Sequence, residues 1–443
     1  MKTGMARWFG AVGMDFHIAT TLLLRVWSIA AGVVMLFAIP ATLSQQQQGY
    51  YFTFASLLGL QIFFELGLNQ VITQLTSKEV AFIGSSDKGD LHLDRMRSIF
   101  ALLRRWYAVA ALLFFLTAFI AGAAVLKRGS TPETGAWVGP WAALAAVTAV
   151  NLYYSPMMAV AEGCGLVGQV ARLRLIQSIL GYGLVWASLF AGLGLWSVPL
   201  NALAASICTS IWLQRADHGL DRFQSDLPIT AARAIDWRRE VLPFQWRIAA
   251  SWISGYLMYQ LFTPLIFLHL GPVVAGRLGM SIAIFVAIQS VGISWISARL
   301  PNMSRLIALH IRSELNHLFL ATLIGALTIV IVGCICVLAA VAVLDGMGFP
   351  LLQRLADLPT LIALAMGTVG NTLVFALASY MRAHGEEPML PPSIAAAVLT
   401  LTGAYAASFQ GTFLTMLTQS LVTFGLVIPW TFMLFRRYWK RIS

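Results

Sequence analysis

Charge is what this chain lacks. Of its 443 residues only 11% are Asp, Glu, Lys or Arg, against about 25% in an average soluble domain. That supply cannot coat a soluble protein of this length. Cysteine is scarce too. Cys164, Cys208, Cys334 and Cys336 fall in or beside apolar runs, without the CxxC or Cys/His spacing of a metal site, and read as small apolar fillers. There is no glycine loop with a following lysine to cradle phosphate, no HExxH and no Gly-x-Ser-x-Gly elbow. The largest outer segments expected, Lys127–Gly139 and Asp345–Pro359, are too short for a catalytic domain. Neither an enzyme nor a bound metal or cofactor is expected.

What the chain has is apolar length. Apolar residues make up 59% and the mean hydropathy is +0.78, which predicts an all-α integral membrane protein. A membrane-spanning helix needs roughly 20 apolar residues. About twelve runs qualify, starting near Ile18, Tyr50, Trp106, Trp141, Leu175, Trp196, Phe244, Pro272, Leu318, Thr360, Ile394 and Thr412. The first, from Ile18 to Leu43, is too long for a signal-peptide core and is read as a retained helix. Connections at Gly192–Gly194, Leu270–Pro272 and Phe409–Gly411 predict tight hairpins. Trp106, Trp137, Trp141, Trp237, Tyr438 and Trp439 read as interfacial belts.

The net charge of +11, from 29 basic and 18 acidic residues, would suggest nucleic acid in a soluble protein. Here the basic residues sort by side. With the N-terminus inside, only Lys127, Arg128 and Arg354 fall outside, and Arg25, Arg247 and Arg277 fall within spans. All other basic residues occupy inner segments, as the positive-inside rule requires. Both termini are therefore expected in the cytoplasm. The charge is accounted for by orientation and by anionic headgroups, and no nucleic-acid partner is expected.

The pattern divides the chain into a cytoplasmic segment 1–17, which could form a short interfacial helix, and an N-terminal lobe 18–213 holding six spans. A central cytoplasmic loop 214–243, a C-terminal lobe 244–435 with six more, and a basic tail 436–443 follow. The halves echo one another. Arg25 precedes Pro40 in span one, and Arg247 precedes Pro264 in span seven. Arg25, Ser28 and Gly32 share one helix face, as do Arg247, Ser251 and Ser254.

Ionisable residues inside spans are costly, about 2.5–3.5 kcal/mol at the bilayer centre, and usually face protein or water. Arg25 and Arg247 are candidates for a cationic pocket that binds an anionic headgroup, with snorkelling to the interface as the alternative. Arg277, entering span eight from outside, is a third intramembrane guanidinium with a stronger interfacial alternative. Glu65 lies deeper. With Gln61 and Asn69 it recurs at i, i+4 and i+8, marking one polar stripe. It is a candidate proton or cation site, or a salt-bridge partner holding Arg25. Asn151, Tyr256, Tyr259, Gln260, Gln289 and Asn371 could line a cavity or serve as interhelical hydrogen bonds.

The segment Gln48-Gly49-Tyr50-Tyr51-Phe52-Thr53-Phe54, leading into Gln61-Ile62-Phe63-Phe64-Glu65-Leu66-Gly67-Leu68, resembles the second span of bacterial lipopolysaccharide and O-antigen flippases. These belong to the multidrug/oligosaccharidyl-lipid/polysaccharide exporter superfamily. Glu162-Gly163-Cys164-Gly165 and Tyr380-Met381-Arg382-Ala383-His384, with Glu387-Pro388 beyond, add to the resemblance. Related peptidoglycan-precursor flippases usually carry fourteen spans, so the chain looks closer to the twelve-span polysaccharide branch.

The resemblance implies a V-shaped transporter of two six-helix lobes in the bacterial inner membrane, alternating its central, often cationic cavity between the two faces. Its substrate would be a polyprenyl-diphosphate-linked oligosaccharide, an O-antigen or polysaccharide repeat unit, moved from the cytoplasmic to the periplasmic leaflet. Polysaccharide polymerase and glycosyltransferases would be its functional partners. Arg25 and Arg247 fit the cationic cavity, and Glu65 the acidic position of span two. A multidrug or organic-cation antiporter on the same fold is the alternative.

Overall fold

A computed structural model describes residues 16–83, 89–129, 137–215, 219–223, 235–384 and 388–441. The described residues form helices and turns without a strand. In chain order the helices are α1 (Phe16–Thr42), α2 (Gln45–Leu58), α3 (Ile62–Glu65), α4 (Leu68–Ile83) and α5 (Gly89–Leu126). They continue as α6 (Val138–Gly163), α7 (Val167–Phe190), α8 (Ser197–Arg215), α9 (Leu242–Tyr259), α10 (Phe262–Leu270) and α11 (Pro272–Ser297). The last six are α12 (Leu300–Ala308), α13 (Arg312–Gly346), α14 (Leu358–Ala383), α15 (Leu390–Ser408), α16 (Thr412–Val422) and α17 (Ile428–Arg441).

Eleven helices among the described residues are long and apolar enough to cross a membrane. A bent pair, Gln45–Glu65 with Leu68–Ile83, supplies the twelfth. The expected number of spans and all-helical class therefore hold. The hairpins fall at the expected glycines. Gly271 and Gly411 adopt φ of 87° and 140°, a region open to glycine because it has no Cβ.

Three details differ from a reading of apolar runs. The third span begins at Gly89 rather than near Trp106 and is 38 residues long, because a helix can continue into water once charged side chains replace apolar ones. A short amphipathic helix, α12, separates α11 from α13 and buries Met303 and Leu306. Trp141, expected in an interfacial belt, is fully buried, as Trp137 and Tyr438 nearly are. A Cβ on Gly122 would stand 2.3 Å from the Trp141 ring, so a glycine makes room for it.

The chain divides into two compact units. Unit 1 comprises the described residues of Met1–Thr42, Leu58–Ala124 and Ser130–Ala249. Unit 2 comprises Leu43–Leu57, Val125–Gly129 and those of Ala250–Ser443. The N-terminal part of span two thus belongs to unit 2. Its hold there is close: a Cβ on Gly49 would lie 1.9 Å from the carbonyl oxygen of Pro272, and one on Gly276 would lie 2.7 Å from the Gly49 nitrogen. The buried Gln48 amide donates to the Gly276 and Arg354 carbonyls, each at 3.0 Å. Small residues permit this backbone approach, the usual basis of helix association in lipid.

Within unit 1, α1 packs along α7, and α4 and α8 both pack on α6. Trp27 meets Trp186 with ring centroids 6.0 Å apart. Residues 1–15 of the proposed interfacial helix, and 216–218 and 224–234 of the central loop, lie outside the described residues.

Candidate functional site

Span two breaks one residue after Glu65. Leu66 adopts φ 49° and Gly67 φ 66°, and the two helical segments meet at 43°. A left-handed leucine costs roughly 1–2 kcal/mol, so the surroundings must enforce it. Gly67 abuts Ile248, whose Cγ2 would lie 2.3 Å from a Cβ at that glycine. Strained backbone of this kind gathers at functional sites.

The break opens a cavity of about 280 Å³ inside unit 1. Gln61, Glu65 and Asn69 line it from span two. Asn151, Tyr154, Ser155, Met158 and Glu162 line it from α6, Arg174 and Gln177 from α7, and Ala205 and Thr209 from α8. Most of its polar groups are tied into the protein. Asn69 Nδ2 donates to Ser155 Oγ at 2.6 Å. Gln177 Nε2 donates to the Ala205 carbonyl at 3.2 Å and to Thr209 Oγ1 at 2.7 Å. Asn151 Nδ2 donates to the Ala202 carbonyl at 2.9 Å, and Asn151 Oδ1 accepts from Ser206 Oγ at 3.0 Å. Arg174 pairs with Glu162 at 2.8 Å. Glu65 makes no hydrogen bond or ion pair among the described residues.

The structure therefore brings Gln61, Glu65, Asn69 and Asn151 together and separates other candidates from them. Arg25 is exposed on α1. It forms no ion pair with Glu65, because α1 packs on α7 rather than beside the polar stripe of span two; the salt-bridge alternative is corrected. Arg247 lies on α9, and its side chain is outside the described residues. Arg277, in unit 2, is half-buried. One of its terminal nitrogens donates to Gln45 Oε1 at 3.4 Å, and its buried Nε has no hydrogen-bond partner among the described residues.

Tyr256 is buried and its hydroxyl donates to the Ser56 carbonyl at 3.4 Å. Tyr259 and Asn371 line two small cavities of unit 2, each about 40 Å³. Gln289 lines the one shared with Phe262 and Phe285. Gln260 is exposed at the turn between α9 and α10.

Sequence reasoning missed the other walls of the cavity, although a signal was present. Asn151, Ser155, Met158 and Glu162 fall at i, i+4, i+7 and i+11, one face of a helix. Arg174 counted only among the inner basic residues, and Gln177 stood alone in an apolar run.

The described residues thus form an all-helical, polytopic membrane protein with a bent second span and a polar cavity. No family model matches the chain, and no curated protein matches it in sequence. Solved structures do match in fold. The lipid II flippase MurJ, in an inward closed conformation, superposes with a TM-score of 0.64 at 11% identity, covering 94% of this chain and 86% of that one. An inward-facing multidrug resistance MATE family transporter of the MOP superfamily gives 0.57 at 15%, covering 94% and 98%. A MOP superfamily transporter from Pyrococcus furiosus, described as having a binding pocket of reversed polarity, gives 0.54 at 14%, covering 96% and 94%. The chain thus has the fold of these transporters.

Proposed function

We propose that the chain is a flippase that moves a polyprenyl-diphosphate-linked oligosaccharide from the cytoplasmic to the periplasmic leaflet by alternating access. It would sit in the bacterial inner membrane with both termini cytoplasmic, supplied by glycosyltransferases and feeding a polysaccharide polymerase. The observation that carries this reading is Arg25. It is exposed on an apolar span and has no ion-pair or hydrogen-bond partner among the described residues. A guanidinium so placed is available to an anionic ligand. A diphosphate suits it, because two forked guanidiniums can bind phosphate oxygens bidentately and offset their desolvation. Arg247, in the matching place of span seven, is the proposed second fork. The fold shared with a lipid II flippase supports the reading.

Replacing Arg25 and Arg247 together with Ala is expected to abolish surface polysaccharide at normal protein level. Full export by that double variant would overturn the assignment.

A second reading, an organic-cation antiporter, is favoured by one observation: the unpaired carboxylate of Glu65 in its cavity. Under that reading Glu65 exchanges a proton or sodium ion for the cation. Ethidium resistance on overexpression, lost in Glu65→Gln and unaccompanied by a glycan defect on deletion, would put this reading first.

A further inference from the structure

We infer that the cavity of unit 1 is a saccharide subsite, taking one hydroxyl-rich sugar ring of the transported substrate by accepting hydrogen bonds from its hydroxyls. The inference rests on the flippase reading.

The hydrogen-bond inventory points to the ligand. A carbonyl oxygen can only accept, so the Ala205 carbonyl fixes the orientation of the Gln177 amide and the Ala202 carbonyl fixes that of Asn151. Gln177 has then spent both N–H groups within the protein, and its Oε1 has no partner among the described residues. Asn151 is satisfied on both sides. Asn69 donates to Ser155, while its Oδ1 is buried without a partner. The Arg174 charge is taken up by Glu162. The lining acceptors left without a partner and open to the space are therefore the Gln177 carbonyl oxygen and both oxygens of Glu65, whereas the Asn69 oxygen is shut off from it. Acceptors left without a protein donor call for a ligand rich in hydroxyl donors, and a polyol satisfies several with one ring. The Tyr154 ring in the same wall can cover the apolar C–H face of a pyranose.

Size selects among donors. About 280 Å³ greatly exceeds the roughly 30 Å³ that one water occupies, so a lone ion would leave most of the space open. It lies at the lower edge of the roughly 300–1,000 Å³ of ligand pockets, which is room for a single sugar ring.

The test uses the full chain in lipid nanodiscs and saturation-transfer NMR with methyl glucoside, its fully O-methylated analogue, and tetraphenylphosphonium. Methyl glucoside should receive magnetisation from the protein. The O-methylated ring keeps its acceptors and loses its donors, and should bind at least about tenfold more weakly. Ala205→Phe, which fills the space, should abolish the signal. Glu65→Gln, which keeps volume and turns one acceptor into a donor, should weaken it about tenfold and serves if Ala205→Phe does not fold. Equal binding of the O-methylated ring, a signal unchanged by both variants, or tetraphenylphosphonium binding without sugar binding would each overturn the subsite.

Flipping of a lipid-linked oligosaccharide in proteoliposomes separates the two readings. Cavity-dependent sugar binding without flipping removes the flippase assignment and leaves the sugar site. Flipping that is indifferent to both variants removes the subsite and leaves the flippase.

Discussion

Arg95 offers the sharpest test of how unit 1 is held together. Its Nε donates to Glu79 Oε1 at 3.0 Å, and its terminal nitrogen pairs with Glu240. His92 Nδ1 lies 2.6 Å from the other Glu79 oxygen, with its ring stacked on Phe82. One guanidinium thus ties the end of α4 to α5 and to the π-helical turn Trp237–Val241 that leads into α9. The Glu79 side chain is only 9% exposed, whereas that of Glu240 is 37% exposed. Removing one partner of a buried pair costs roughly 3–5 kcal/mol. Because Glu79 keeps His92, the expected loss from that side is about 2–3 kcal/mol. The exposed Glu240 pair adds about 0–1 kcal/mol. Arg95→Met should therefore destabilise unit 1 by about 2–4 kcal/mol. Arg95→Lys should recover less than half, since an ammonium lacks the planar fork that serves two carboxylates. In a double-mutant cycle with Glu79→Gln, read by steric-trap unfolding in bicelles, the coupling should be about 1–3 kcal/mol. Raising the salt concentration should weaken the Glu240 part and leave most of the Glu79 part. A variant within about 0.5 kcal/mol of the parent, or additive single mutants, would refute the assignment of Arg95 as the tie.

Three further outcomes are expected. Gly49→Ala puts a methyl 1.9 Å from a backbone oxygen; overpacking against an atom that cannot rotate away should cost about 3 kcal/mol or more, and wild-type stability by the same unfolding assay would refute the contact. Gly67→Ala meets Ile248 and must adopt φ +66°; Ile248→Ala should rescue the overlap but not the roughly 1–2 kcal/mol of backbone strain, and full rescue would show that the strain is absent. In a chain retaining only Cys164, alkylation should need a higher pH than for a free thiol, because burial raises its pKa while the Arg222 guanidinium opposes the rise. Arg222→Ala should then move the alkylation midpoint further up; a downward move would contradict the contact.

The spans were legible because each is a long apolar run, and the hairpins because Gly271 and Gly411 interrupt such runs. The lengths of α5 and α13 were not. Hydropathy marks the part of a helix in lipid, whereas the helix itself continues through Asp90 in one case and from Arg312 in the other. The α12 helix was hidden in a basic loop, although Met303 and Leu306 lie at i and i+3. The stripe of Gln61, Glu65 and Asn69 was readable at helical spacing. Its partners were not, because which helices face span two is a matter of long-range packing. The same limit hid the neighbour of α1: no local pattern says that Trp27 meets Trp186 and lays α1 along α7.

The break in span two lies in the wall of the cavity. Glu65 ends α3 and Asn69 lies in the first turn of α4, so the two side chains stand on opposite sides of the strained pair Leu66 and Gly67. The part of the span beyond α3 toward the N-terminus, Leu43–Leu57, is counted with unit 2 and held there by Gln48 and Gly49. A ligand bonded to both Glu65 on α3 and Gln177 on α7 fixes their separation and so prefers some bend angles to others. It can shift the bend only by its difference in affinity between those angles. To move a hinge from one state almost wholly to the other takes a difference of about 5.5 kcal/mol. A net hydrogen bond contributes about 0.5–1.5 kcal/mol, so two bonds bias the bend without driving it to completion. The remainder must come from groups outside this cavity, and under the flippase reading from the diphosphate on the arginines. The two proposed sites would then be coupled, so that each weakens when the other is removed. Glu65→Gln should therefore lower affinity for a short-chain polyprenyl-diphosphate sugar by more than it lowers affinity for methyl glucoside. Equal losses for the two ligands would show that the break does not transmit binding.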